Sequence, residues 1–223
     1  MAVTTTTNPT KTYRREPLWT VRIVVILAFV LQLALPDRFV AGPKYLLPIL
    51  ELLLLCALFF TTPRQPIFRS ILRRVNAVTL VALISIVNIY SVQQLVHDLL
   101  AGGTIVDGQQ LILTAFNVYV TNIIIFGLWF WELDGGGHGS RQTKSAHERD
   151  FLFPQMSTPS LEPHNWHPTF LDYLYISVTN ATAFSPTDAM PLTHRAKTLM
   201  AIQAFVSLIT IALVAARAVN ILR

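Results

Sequence analysis

Five apolar runs, each close to the length needed to cross the hydrocarbon core of a bilayer, set what this chain can fold into. A helical crossing takes about 20 such residues. The runs cover residues 18–35 (ended by Pro36), 45–62 (closed by Pro63), 76–100 (followed by Gly102-Gly103), 111–133 (followed by Gly135-Gly136-Gly137) and 196–222. In lipid every backbone amide must be paired within the protein, so each run is predicted to be a helix. The brief link between the first two makes them a hairpin. With 52% hydrophobic and 13% charged residues in a chain of 223, little is left over for a soluble domain. The net charge of +5 then reads as loop charge on the cytoplasmic side rather than as a nucleic-acid footprint. The polar stretch 1–17 is expected to be a disordered tail, and the first run a retained span, since no small-residue cleavage site follows it. Cys56 is alone, so no intramolecular disulfide is expected. Residues 18–100 form a three-helix membrane region, and 108–223 a second unit.

That second unit holds a segment of mixed character, residues 168–191. From Phe170 to Ala183 it has the length of a helix, yet it carries Asp172, Ser177, Thr179, Asn180 and Thr182. Pro168 suits a first helical turn. Beyond Phe184, Pro186 and Pro191 forbid a regular helix. Irregular backbone at membrane depth is tolerated only where it is buried in protein or lines a wet cavity. The segment is therefore predicted to be re-entrant: a half-helix that turns back before crossing. The expected fold is an all-α integral membrane protein with five transmembrane helices and this loop between the last two.

The stretch "FLDYLYISVTNATAFSPTDAMP" resembles the pore loop of potassium channels, at Phe170, Asp172, Tyr175, Ser177, Thr182, Asp188 and Pro191. The following "RAKTLMAIQAFVSLITIALVAARAV" is similar to the inner helix of those channels. The resemblance covers about residues 168–220. It implies an outer helix at 111–133, a surface loop at 134–167, a pore helix and loop at 168–191, an inner helix at 196–222, and a homotetramer around one axis. Where the family's filter reads T-V-G-Y-G-D, this chain has Ala183, Phe184, Ser185, Pro186, Thr187 and Asp188. Two glycines let successive carbonyls face the ion in that filter, and Ser185 and Thr187 replace them. The resemblance thus implies the frame of a channel without its potassium-selective device.

Within that frame, Thr182, Ser185 and Thr187 either offer hydroxyl oxygens to a hydrated ion or satisfy backbone groups inside the turn. Asp188 either adds a carboxylate ring at the mouth or braces the loop from behind. Phe184 is a gate or a packing residue. Asn180, Gln203 and Ser207 are candidate cavity-lining residues, and Glu51 and Arg22 are intramembrane charges, functional suspects by default, placed to pair across the first hairpin. Asn88, Gln93, Gln94, Asn117, Asn122 and, as the alternative to lining a cavity, Gln203 are expected to hydrogen-bond between helices. His138, His147, His164, His167 and His194 share one membrane face at loose spacing, and interfacial positions suit them better than a metal site.

Charge sets the sidedness. Arg14, Arg15, Arg22, Arg64, Arg69, Arg73 and Arg74 place the N-terminus in the cytoplasm, and the long loop with Arg141, Lys144 and Arg149 follows four crossings later on the same side. This leaves Arg38, Lys44, Arg217 and Arg223, of 17 basic residues, on the other. No phosphate-binding glycine loop and no nucleophile–base pair is present, so no enzyme, cofactor or metal is expected. The expected function is passive, weakly selective conduction, of cations by preference, in the inner membrane of a cell. The alternatives are a non-conducting assembly or signalling scaffold and a carrier of protons or small solutes.

Overall fold

A computed structural model describes residues 19–40, 46–60, 67–100, 108–137, 141, 148–157, 166–182 and 188–221. They form seven α-helices: α1 (Trp19–Leu33), α2 (Leu46–Phe60), α3 (Ile67–Leu100), α4 (Gly108–Leu133), the single turn α5 (Pro154–Ser157), α6 (Phe170–Thr182) and α7 (His194–Ile221). Three stretches are long and apolar enough to cross a membrane: Leu72–Asp98 in α3, Gln109–Gly136 around α4, and His194–Ala216 in α7. At 15 residues each, α1 and α2 span about 22 Å, short of the roughly 30 Å apolar core.

α4 is the axis of the bundle. Its apolar window is 61% buried, against 17% for α7, because α1, α3, α6 and α7 all pack on it. α3 runs antiparallel to α4: Arg74 lies 3.5 Å from Glu132 near the end of α4, while Leu95 packs with Leu111 and Ala115 near its start. α1 is also antiparallel to α4, with Val25 in the cluster holding Ile124 and Leu128, and the Leu31 carbonyl accepting from Asn117 at 2.8 Å. α7 descends the same way, Ser207 meeting Asn122 and Leu213 reaching the Leu111 cluster.

The end of α4 is shaped by glycine. Asp134–Gly136 form a 3₁₀ turn, and Gly135, Gly136 and Gly137 all have positive φ (59°, 84° and 94°). At Gly137, with ψ 172°, the backbone lies in a region that only glycine occupies readily. A Cβ there would also come within 3.1 Å of the Glu132 carbonyl.

Segment 170–191 begins and ends at this same end of α4. The Phe170 ring lies 6.2 Å from that of Trp131, and α6 then runs antiparallel to α4 until Ser177 donates to the Ile123 carbonyl at 2.6 Å. The chain reappears at Met190–Pro191 (β2), paired antiparallel with Phe151–Leu152 (β1) just beyond the α4 glycines. α6 has 13 residues and a length of about 20 Å. The eight positions from 183 to 190 reach about 26 Å, enough to regain the starting level. Thr169 caps α6: the Asp172 carboxylate accepts its backbone N–H at 2.7 Å and its hydroxyl at 2.8 Å, a capping box closed by aspartate.

The structure departs from the sequence reading in three places. α3 begins at Ile67 rather than near residue 76, so Arg69, Arg73 and Arg74 stand on a helix instead of in a link. Pro168 lies ahead of the cap rather than in the first turn of α6, because Thr169 and Asp172 set the start. Among the described residues the helices are joined by one strand pairing, the two-residue pair β1–β2, which the all-helical expectation did not include.

Candidate functional site

Two polar networks hold segment 170–191 in place, one along α6 and one at its roots. Along α6, Gln203 of α7 is fully buried and donates to the Ser177 carbonyl at 2.9 Å and the Ser177 hydroxyl at 2.6 Å. Asn180 donates to the Gln203 side chain at 2.8 Å and to the Met200 carbonyl at 2.9 Å. Lower on the same face, Asn122 of α4 donates to the Ser207 hydroxyl at 3.0 Å. In an apolar bundle such bonds hold helices together, since an unpaired polar group there is costly. The network ties α6 to both of its long neighbours. Of the candidate cavity-lining residues, Asn180 and Gln203 are bonded to each other between α6 and α7, and Ser207, one turn further along α7, meets Asn122 of α4 instead.

The roots are held by two buried carboxylates. Asp134 accepts the backbone N–H groups of Asp150 (2.7 Å) and Phe151 (3.2 Å) on one oxygen and the Tyr173 hydroxyl (2.5 Å) on the other. Asp150 accepts the Gly135 N–H at 3.2 Å, the Thr193 hydroxyl at 2.5 Å and Arg195 at 3.2 Å, and its carbonyl takes the Leu192 N–H at 2.8 Å. Asp134 therefore fastens the outgoing leg through Tyr173, and Asp150 the returning leg through Leu192, Thr193 and Arg195. Two buried guanidiniums balance the pair. Arg141 lies 4.8 Å over the Tyr173 ring and donates to the Trp131 carbonyl at 2.9 Å. Arg149 donates to the Arg141 carbonyl at 3.3 Å; burial pulls its pKa below the ordinary arginine value, opposed by nearby Tyr173 and Asp134. An arginine stays charged under such a shift.

An aromatic layer covers this cluster. Tyr173 meets Phe153 at 5.4 Å and Phe151 at 6.2 Å, edge to face, and Phe153 meets Trp166 at 5.6 Å. Packing of the long loop beneath α6 through Phe151, Phe153 and Trp166 is what its composition suggests. The carboxylates, guanidiniums and Thr193 that organise it carry no such signal: Asp134 and Asp150 lie 16 residues apart with no motif between them. A capping-box search would have found Thr169 and Asp172.

Of the filter positions, Thr182 closes α6, with its hydroxyl on the Thr179 carbonyl at 3.0 Å, and Asp188 is exposed. Ala183, Phe184, Ser185, Pro186 and Thr187 lie outside the described residues. Glu51 is buried and faces Gln32 of α1. Gln32 lies ten residues, about 15 Å, along α1 from Arg22, so the expected Arg22–Glu51 pair across the hairpin is replaced by a glutamate–glutamine contact. Among the described residues no group of three His, Cys, Asp or Glu side chains could hold a metal ion. His138, His147 and His164 lie outside the described residues.

Compared with known proteins, the chain matches no family model, no curated protein and no solved structure.

Proposed function

We propose that this protein is a passive, weakly selective cation pore, a homotetramer built from α4, α6 and α7, in which segment 168–191 enters the membrane and returns on the same side. One observation carries the reading: both ends of segment 170–191 are fastened at one end of α4, while α6 between them is bonded to both long helices. A helix so placed directs its C-terminal carbonyls, and their partial negative charge, to a point part-way along the bundle. Four copies around an axis would favour a cation there. The exposed apolar faces of α6 (Leu171, Tyr175, Val178) and α7 (Ile202, Phe205, Leu208) supply surface for neighbouring copies.

In this reading α1 and α2 complete five crossings as a thin hairpin, their short length met by local thinning of the bilayer and by Arg22 reaching for the interface. The cytoplasmic side is the Asp134 end, where Arg73, Arg74, Arg141, Arg149 and Arg195 gather, with Arg38 and Arg217 at the opposite end. A second reading, a non-conducting scaffold of the same architecture in the inner membrane, draws support from the inward direction of Gln203 and Ser207. Their burial leaves the outward face of α7 apolar.

Flux from proteoliposomes separates the two. Potassium, sodium, chloride and proton release is measured for the native chain and for Asp188→Asn, together with the native mass of the assembly. Cation flux that falls or changes selectivity in the variant supports the pore. A folded tetramer with no flux for any ion refutes it and leaves the scaffold.

A further inference from the structure

Away from the α4–α6–α7 unit lies a second polar feature, between the two short helices. Glu51 occupies the second turn of α2 and is 1% exposed; Gln32 occupies the last turn of α1 and is 4% exposed. The carboxyl faces the amide, yet neither oxygen of Glu51 and neither polar atom of Gln32 makes a hydrogen bond among the described residues. Four polar atoms are thus out of water with nothing paired to them. An ionised carboxylate in such surroundings is costly beyond anything the packing of two short helices supplies.

Among the described residues, the neighbouring elements provide no counter-charge. On α1 the only charged residue is Arg22, three turns away from Gln32. On α2 the only other titratable group is Cys56. α3 packs against α2 with Asn76 donating to the Leu54 carbonyl at 3.0 Å, which sets Arg73 and Arg74 about a turn and a half from Glu51 along the axis, toward the Asp134 end. In the other direction α3 offers no titratable side chain until Tyr90, and Asp98 beyond it is held by Arg38 at 2.7 Å. A sodium ion needs five or six oxygens, whereas Glu51 and Gln32 together present three. A proton needs two: a carboxyl O–H donating to the Gln32 carbonyl oxygen satisfies both side chains at once.

We propose that Glu51 and Gln32 form a proton-binding site between α1 and α2, separate from the pore-like unit, whose occupancy keeps the two helices packed together. Loss of the proton leaves a carboxylate that must reach water, and the way to water is separation of α1 from α2. The site is independent of whether the α4–α6–α7 unit conducts.

A hydrophobic carbodiimide tests this directly, because it adds only to a protonated carboxyl in apolar surroundings and leaves a stable acylurea that peptide mass spectrometry locates. The full chain in liposomes is treated over a series from acid to alkaline pH, beside Glu51→Gln and Gln32→Leu. The expected result is modification at Glu51 that declines as pH rises, is absent in Glu51→Gln, and has its midpoint shifted in Gln32→Leu. Cysteine accessibility along α1 should rise over the same pH range. Three results overturn the proposal: no modification of Glu51 at any pH while a water-soluble carbodiimide labels exposed Asp188; modification that does not vary with pH; or protection by sodium at fixed pH, which would make the ligand a metal ion.

Discussion

Replacing Tyr173 by phenylalanine removes one oxygen and leaves everything else about the residue in place. The ring keeps its edge-to-face contacts with Phe151 and Phe153 and its position under Arg141. What is lost is the 2.5 Å bond to Asp134, a carboxylate with no exposed surface. Hydrogen bonds to charged groups contribute about 1.5–3 kcal/mol. Asp134 keeps two backbone donors on its other oxygen, so the expected loss is near the lower part of that range, about 2 kcal/mol, or about 30-fold in the unfolding equilibrium. Tyr173→Ala adds the cavity left by a fully buried ring, about 3–5 kcal/mol more. The control is Tyr175→Phe, two residues away on the face offered to neighbouring copies, where the ring stays and the hydroxyl has no hydrogen bond among the described residues, so the change should stay within about 0.5 kcal/mol. Denaturant titration in mixed micelles, followed by the fluorescence of Trp131 beside the site, gives all three values. If Tyr173→Phe is no more destabilising than Tyr175→Phe, the carboxylate does not depend on this bond and the account of the root fails.

Other substitutions probe the remaining parts. Gly137→Ala should cost about 1–3 kcal/mol and lower the yield of folded protein, since φ 94° with ψ 172° strains any side chain and the added Cβ meets the Glu132 carbonyl. Gln203→Leu orphans groups on Ser177 and Asn180 and should cost about 1–2 kcal/mol in the same titration, with α6 more exposed to protease as a second readout. At Asp150 the two partners should differ: Arg195→Ala, whose side chain is 70% exposed, should change stability by less than about 1 kcal/mol, and Thr193→Val by more. In a Cys56→Ser background, cysteines placed at Asp188 and at Asp37 should label from opposite sides of sealed vesicles. Labelling from the same side would refute the proposed return of the segment.

The helices themselves were readable, because a helix in an apolar solvent needs only a sufficiently long apolar run, and α1, α2, α4 and α7 lie within a few residues of the runs that predict them. The start of α3 is not legible because its first two turns carry Arg69, Arg73 and Arg74, and such charge in a sequence looks the same in a link as on a helix. A helix can continue past the apolar layer into water, and only its apolar part registers as a span. The anchoring cluster was not legible for a different reason. Arg141 and Arg149 read as loop charges facing the cytoplasm, yet both are buried, Arg141 over the Tyr173 ring and bonded to the Trp131 carbonyl, and Arg149 bonded to the Arg141 carbonyl within reach of the field of Tyr173 and Asp134. Long-range pairing of single charged residues leaves no periodicity behind. Glu51 stands out in the sequence, since one acid in a run of leucines is conspicuous, but its neighbour depends on how far α1 and α2 slide past each other, which composition does not encode.

The double fastening of segment 170–191 has a consequence for how this architecture can change over time. Asp134 and Asp150 hold its two roots, and Gln203 holds the helix between them, so each of these fastenings is made by residues outside positions 183–187. A substitution among those five positions leaves both partners of every one of these bonds in place, so a lineage that varied them would keep the same three anchors.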